Sequence, residues 1–360
     1  MRLHFLDTLY AMPGPYASVY VDTSRDIDDP DKAIELHRRH ARSDLIELGA
    51  DPATAEVSAA AVGTDAHLPG RHGQALFATH GELVLTEELP QPPPVDRAGY
   101  ALLPDAMPLA LQHAPDIPYA AAVLTRVKPA NSHTASEDLH VELQTGRWPS
   151  SSVAPRALTH LHIPIDQWHQ EARRLAEELA HLVDVGHADT LVLCGDTWAR
   201  GVLVNRLPAP IRNRVATVPG NGQDIVETGR ALLERQLAAL FRGRLSAHDR
   251  DRLETFAAQR ARDRAGEGLS AAVAALQRGQ ADALVVNHPV EQWPPLWLGT
   301  DPDQIALSAD DLQTFGAIGY EQQPADAALL YAAVTTGAEL IVVPRHQTPL
   351  EDGIGVLLRH

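Results

Sequence analysis

A single cysteine, Cys194, is present in 360 residues. Neither an intramolecular disulfide nor a cysteine-rich metal cluster can form, and a reducing compartment fits. No window approaches 18 consecutive apolar residues, and the opening "MRLHFLDTLYAMPGPYASVYVDT" lacks the apolar run and small-residue cleavage site of a secretory signal. The expectation is a soluble, cytoplasmic protein with no membrane partner. No GxGxxG, P-loop, GxSxG or HExxH occurs, which argues against nucleotide-dependent chemistry and the common hydrolases, and no cofactor is expected. Internal repeats and low-complexity tails are also missing. Positive charge is scarce: 30 Lys plus Arg stand against 47 Asp plus Glu, a net −17. A protein that coats nucleic acid is usually basic overall, so general DNA binding is not expected. The deficit is uneven. Between Arg200 and Arg264 there are 13 Arg against 7 Asp plus Glu, a net of +6, which set against −17 leaves −23 for the rest. That stretch suits either a solvated helix surface or contact with RNA phosphate.

Hydrophobic residues make up 44% and are spread along the chain, the composition of a folded protein long enough for two or three domains. Strands alternate with helices throughout, so the class is α/β. Residues 1–115 are expected as one α/β domain. It has a strand at "YASVYVD", a helix from Asp31 to Ala50 with apolar positions Ile34, Leu36, Ile46 and Leu48, a hairpin in "GQALFATHGELVLTEEL" turning at His80-Gly81, and a proline-rich connection over 89–99. Residues 116–238 form a middle α/β domain. Its strands are "IPYAAAVLTRV", "DLHVELQ", "LTHLHIPI", "ADTLVLCGD" and "RVATVPG", read as a mostly parallel sheet. Its first long helix is N-capped by Asp166 and has apolar positions at Trp168, Ala172, Leu175, Leu179 and Leu182. Residues 239–266 are a helical connection in which Ser246 and Asp249 have capping-box spacing. Residues 267–360 form a small C-terminal α/β sandwich with an irregular stretch from His288 to Asp311.

Several residues invite functional readings. Two Gly-Gln pairs, in "GRHGQA" and "PGNGQDI", would suit a peptide-releasing amide, but both read as turn glycines of positive φ. His160 and His162 share one face of a strand and His169 lies nearby. They suit Zn²⁺ only if a carboxylate and a further ligand join them, and sequence names neither, so an RNA-facing or solvated strand edge is expected and no metal. Cys194 reads as a buried apolar residue and Asp196 as a helix cap. Arg147, Trp148, Trp168, Arg173 and Arg174 interleave cations with aromatics. With His160, His162, His169, Arg200, Arg206, Arg212 and Arg214 they form the RNA-binding candidates, arginine for phosphate and aromatic rings for unpaired bases.

Three stretches carry a resemblance. "ADTLVLCGDTWARGVL", an apolar strand turning straight into a helix, resembles the middle domain of the archaeal and eukaryotic class-1 release factors and Pelota. "ALQRGQADALVVN", "ADAALLYAAVTTGAELIVVP" and "GIGVLLRH" resemble that family's terminal domain, which shares its fold with ribosomal and kink-turn RNA-binding proteins. The order of elements is similar to the bacterial branch, the Balon-like ribosome hibernation factors. The resemblance implies a three-domain architecture and a factor that enters the ribosomal A site, contacts ribosomal RNA, partners elongation factor Tu and acts in hibernation or stress. In hydrolytic members Gly-Gly-Gln precedes the first long middle-domain helix. Here that place, Thr145 to Asp166, holds no Gly-Gln, so no catalytic residue is expected. A peptidyl-tRNA or RNA hydrolase and a non-ribosomal stress interaction protein are the alternatives.

Overall fold

A computed structural model describes residues 1–65, 70–127, 137–149, 157–218, 230–262, 264–301, 303–314, 317 and 319–359. It divides into two compact units, Met1–Ala114 with His248–His360, and Pro115–Ala247.

The N-terminal part of the first unit contains α1 (Asp7–Tyr10), β1 (Tyr16–Asp22), α2 (Pro30–Glu47), α3 (Pro52–Ala61), β2 (Gly73–Thr79), β3 (Glu82–Leu89), β4 (Arg97–Ala101) and α4 (Met107–His113). The strands form an antiparallel sheet in the order β3-β2-β1-β4. The expected hairpin is present, and its two turn residues both have positive φ, His80 at 51° and Gly81 at 76°, which matches strand twist. Asp29 and Asp51 cap α2 and α3, each followed by a proline that has no N–H to satisfy. The inward face of α2 is Ile34, Ala41 and Leu45, whereas Leu36, Ile46 and Leu48 are exposed, contrary to expectation. The small Ala41 belongs to the buried stripe, and a reading weighted to large side chains displaces that stripe. The 89–99 connection also yields a strand, because β4 pairs with β1 from Arg97 onward.

The second unit holds β5 (Ile117–Val127), β6 (Asp138–Trp148), β7 (Ala157–Pro164), α5 (Trp168–Val185), β8 (Thr190–Gly195), α6 (Thr197–Val204), α7 (Ala209–Arg212), β9 (Val215–Val218) and a helix at Arg230–Phe241. Sheet order is β7-β6-β5-β8-β9. The sheet is mixed rather than mostly parallel: β5-β6 and β6-β7 are antiparallel, β5-β8 and β8-β9 parallel. Among the described residues, only β8 and β9 are reached through helices, and parallel pairing requires such crossovers. One face packs on α5 through Leu124, Val141, Trp168, Leu175 and Leu179, and the other buries Tyr119, Val123, Cys194 and Phe241. Asp166 does not cap α5. It lies in a 3₁₀ turn, Ile165–Gln167, that leads into the helix without a side-chain cap.

From Ala247–Arg260, a helix of the first unit apart from Ala247 itself, the chain enters β10 (Gly266–Glu267), a helix at Leu269–Gln277, β11 (Ala281–His288), β12 (Leu296–Leu298), β13 (Ile305–Ala306), a helix at Ala309–Thr314, β14 (Glu321–Gln323), a helix at Ala325–Thr336, β15 (Glu339–Pro344) and β16 (Ile354–Leu358). The main sheet is β10-β16-β11-β15, and β13-β12-β14 form a second. The stretch His288–Asp311 therefore contains β12, β13 and the start of a helix. Asp249, buried, pairs with the Met1 amine at 2.5 Å. Leu6, Leu9, Tyr16 and Phe77 share one apolar core with Leu276, Leu329, Leu330 and Val356, so the terminal segments of this unit are packed together. Among the described residues no helix is long and apolar enough to cross a membrane.

Two glycines of the second unit give a paired test. Gly195 ends β8 at φ 96°, and a Cβ there would lie 1.9 Å from the Leu124 carbonyl oxygen, which accepts from the Asp196 N–H at 2.7 Å. Gly201 sits in α6 with nothing within 4 Å of its Cβ position. Gly195→Ala is expected to destabilise the chain by at least about 2 kcal/mol, and Gly201→Ala to stabilise it by up to about 1 kcal/mol. Urea unfolding followed at the tryptophans checks both signs.

Candidate nucleic-acid interface

The expected RNA-binding residues separate into groups once their surroundings are known. Trp148 is 8% exposed beside Phe241, and Trp168 is fully buried under the sheet. Neither offers a ring face to a base, so both are corrected to core residues; each sits where an apolar sheet face meets a helix. Arg147 grips Asp116 with both ends of its guanidinium. Its Nε donates to Oδ1, and a terminal nitrogen donates to Oδ2 at 2.8 Å and to the Asp116 carbonyl at 3.0 Å. That charge is neutralised within the fold. Arg173 and Arg174 are exposed on α5, one turn ahead of Glu177 and Glu178. Arg174 lines a groove of 230 Å³ between β7 and α5 together with Glu171 and Glu178, so α5 presents mixed charge.

A different pattern runs from α6 to β9. Residues 197–218 contain Arg200, Arg206, Arg212 and Arg214 and no Asp or Glu at all. Three of these arginines are held by oxygens that carry no formal charge. Arg200 donates to the Val218 carbonyl at 3.1 Å and to Thr197 Oγ1 at 3.3 Å. Arg212 donates to the Leu207 carbonyl at 2.9 Å, and Arg214 to that of Ala188 at 3.4 Å. Arg206, Arg212 and Arg214 are exposed. Anchoring on carbonyls orients a guanidinium while leaving its charge available, the condition for pairing phosphate. In a chain of net −17, this carboxylate-free stretch is a local exception.

At the start of α6 stands Trp198, 41% exposed and missed by the sequence reading. The Arg126 guanidinium lies 5.7 Å from its ring centroid, and the His169 ring meets it edge-on at 5.7 Å. Arg126 is fixed by Asp196 at 3.1 Å and Glu137 at 3.0 Å, and those hydrogen bonds raise its pKa. Asp196 also caps α6, accepting from the Ala199 N–H at 2.8 Å, as expected. Indole, imidazole and guanidinium together make a stacking platform beside the arginine edge. Its sequence signal is the Trp in "GDTWAR", directly after a strand end.

The two Gly-Gln pairs do not reach this surface. Gly73 begins β2 rather than a turn, and its φ is not positive; a Cβ there would meet Pro93 Cδ at 2.8 Å and the Val21 carbonyl at 2.9 Å. Gln74 is buried, accepting from the Gly63 N–H at 2.9 Å and donating to Thr64 and Thr86. Gly222-Gln223 lies outside the described residues. Cys194 is buried as expected, and burial pushes its thiol up.

His160 and His162 do share a strand face, at the opposite end of the same sheet. The β6–β7 register sets His140 against His162 and Glu142 against His160. The His140 and His162 rings stack at 4.7 Å and 4°, and His160 Nδ1 lies 3.3 Å from Glu142 Oε1. His169 is not part of this group. Desolvation, then the neighbouring His162 and His160, hold the His140 pKa below the ordinary imidazole value, against the opposing pull of Glu142. In that window the unfolded chain binds the proton more readily. The stabilising contribution of neutral His140 is therefore present above about pH 6.5 and is lost as pH falls through the depressed folded value. His162→Gln is expected to move the His140 midpoint upward in an NMR titration of the ring carbons. An unchanged midpoint would contradict the proposed charge coupling.

Comparison with known proteins bears on this unit directly. The sequence model of the family described as bacterial archaeo-eukaryotic release factor family 2 matches residues 121–262. Two curated relatives, the uncharacterized proteins Rv2629 (strain ATCC 25618 / H37Rv) and MT2704 (strain CDC 1551 / Oshkosh) of Mycobacterium tuberculosis, are each 29% identical over 381 residues, covering 100% of this chain and 97% of theirs. Similar solved structures include an archaeal translation termination factor, aRF1, at 15% identity and TM-score 0.22 over 99% of this chain and 96% of that one. Another is Pelota of Archaeoglobus fulgidus, at 11% identity and TM-score 0.36 over 80% and 79%. At such scores these two carry no weight beside the family match. Residues 121–262, most of the second unit and the helix after it, are thus similar to the bacterial archaeo-eukaryotic release factors of family 2.

Proposed function

We propose that this protein is a non-enzymatic, ribosome-associated translation factor that contacts ribosomal RNA through the α6–α7–β9 edge of its middle unit. The observation that carries the reading is the carboxylate-free run of four arginines over residues 197–218, inside the segment that matches the release-factor family. Guanidiniums held by carbonyl oxygens, as those of Arg200, Arg212 and Arg214 are, donate well to phosphate oxygens, and Trp198 adds a surface for an unpaired base. The acidic remainder keeps such a protein from binding nucleic acid indiscriminately. Entry into the A site, partnership with elongation factor Tu, a cytoplasmic location and a role in hibernation or stress belong to the same proposal, supported by the family match over residues 121–262. So do the three-domain division and the assignment of His160, His162, His169, Arg173 and Arg174 as secondary RNA contacts.

Peptide release is not part of the reading. Thr145 to Asp166 has no Gly-Gln, and Gln74 is locked by three hydrogen bonds inside the first unit. Purified peptidyl-tRNA mixed with the protein is expected to hydrolyse at the background rate. Turnover abolished by Gln74→Ala or Gln223→Ala would establish the hydrolase alternative instead.

Association is expected to be salt-sensitive, because phosphate contacts release counterions. In sedimentation with ribosomes across a salt series, Arg206→Gln with Arg214→Gln should lower the slope by roughly one unit for each lost contact. Trp198→Ala should weaken binding roughly 5- to 150-fold. Arg147→Gln, whose partner is Asp116, should leave the slope unchanged. A protein that never pellets with ribosomes at low salt, with or without elongation factor Tu, would favour the non-ribosomal interaction protein.

A further inference from the structure

The histidine group on β6 and β7 has the composition that its sequence spacing left incomplete. Ligand atoms of His140, Glu142 and His160 all lie within 4.8 Å of one another. His140 and Glu142 are half-buried and His160 is exposed. Three donors around a zinc ion bonded at about 2.0–2.2 Å stand roughly 3.3–3.5 Å apart. Glu142 Oε1 and His160 Nδ1 are already at 3.3 Å. The His140 donor, within 4.8 Å of the other two, needs to approach by at most roughly 1.5 Å, within reach of side-chain torsions.

We propose that His140, Glu142 and His160 bind a divalent transition-metal ion of the zinc class, clamping the edge strand β7 to β6. The chemistry favours this class. Two imidazoles and one carboxylate suit Zn²⁺, and also Co²⁺, Ni²⁺ or Cu²⁺, whereas Mg²⁺ and Ca²⁺ prefer sites made entirely of oxygen. A ligand imidazole must be neutral, so binding releases protons and strengthens as pH rises. Glu142 supplies one negative charge against the ion's two. His162, flat against His140 at 4.7 Å, restrains the first ligand, and water or an anionic oxygen would complete the shell. The three ligands come from two strands paired in antiparallel register, so binding fixes that register. It should stabilise the folded chain by mass action. The inference does not rest on the ribosomal reading: the arginine edge at β9 and the histidine group at β7 occupy opposite ends of the sheet.

The test uses the full chain, stripped with a chelator and titrated with Co²⁺. One ion per chain is expected, with visible bands of low-coordinate cobalt that Zn²⁺ abolishes. In the same wild-type protein Zn²⁺ should shift the ring resonances of His140 and His160, leaving those of His181 on α5 in place, and should raise the melting temperature. Affinity is expected to fall steeply as pH drops below about 6.5. His140→Ala, His160→Ala and Glu142→Gln should each weaken Co²⁺ binding at least about tenfold, and His181→Ala should not. Two results would overturn the proposal. One is a wild-type protein with no stoichiometric site. The other is Zn²⁺-induced shifts spread evenly over the chain's histidines, a result that does not depend on any variant folding.

Discussion

The pairing of β5 with a neighbour on each side is the constraint on which the middle unit depends. Residues Tyr119 to Leu124 are at most 3% exposed, and they pair antiparallel with β6 on one side and parallel with β8 on the other. Both faces are covered, one by α5 and the other by the side chains around Phe241. A strand in that position tolerates no polar insertion, so all the chemistry of this unit is displaced to the two sheet edges. One edge carries histidines, the other arginines. The Leu124 carbonyl at the end of β5 also accepts from Asp196, and that contact sets the turn from which α6, Trp198 and the first arginine emerge.

Much of this was legible in the sequence where a single periodicity dominates. β1 and β5 match their alternating or continuous apolar runs, the hairpin follows from His80-Gly81, and the buried stripe of α5 follows from Trp168, Ala172, Leu175 and Leu179. α3 was missed because "PATAEVSAAA" gives little contrast between its buried and exposed positions. The mixed sheet was misread because connection length was not weighed against direction. Between β5 and β6, and again between β6 and β7, there is no described helix to carry a crossover.

The candidate site was legible in type but not in grouping. Arg147 pairs with Asp116, 31 positions away, and no local pattern announces that partner. Trp148 and Trp168 lost their proposed role to burial, since a large ring on a sheet face is most stable against a helix. His140 and Glu142 alternate in "DLHVELQ" as His160 and His162 do in "LTHLHIPI", yet register alone decides whether the four meet. Charge was the more reliable guide. The local excess between Arg200 and Arg264 narrows to 22 residues once the fold shows which guanidiniums face carbonyls rather than carboxylates.

The account turns on one claim, that the arginine edge of the middle unit meets ribosomal RNA. A cryo-EM map of ribosomes incubated with this protein tests it most directly. The account predicts density for the 115–247 unit with Arg206, Arg212, Arg214 and Trp198 against ribosomal RNA. Bound density with that edge turned to solvent, or ribosomes that carry no density for this chain, would contradict it.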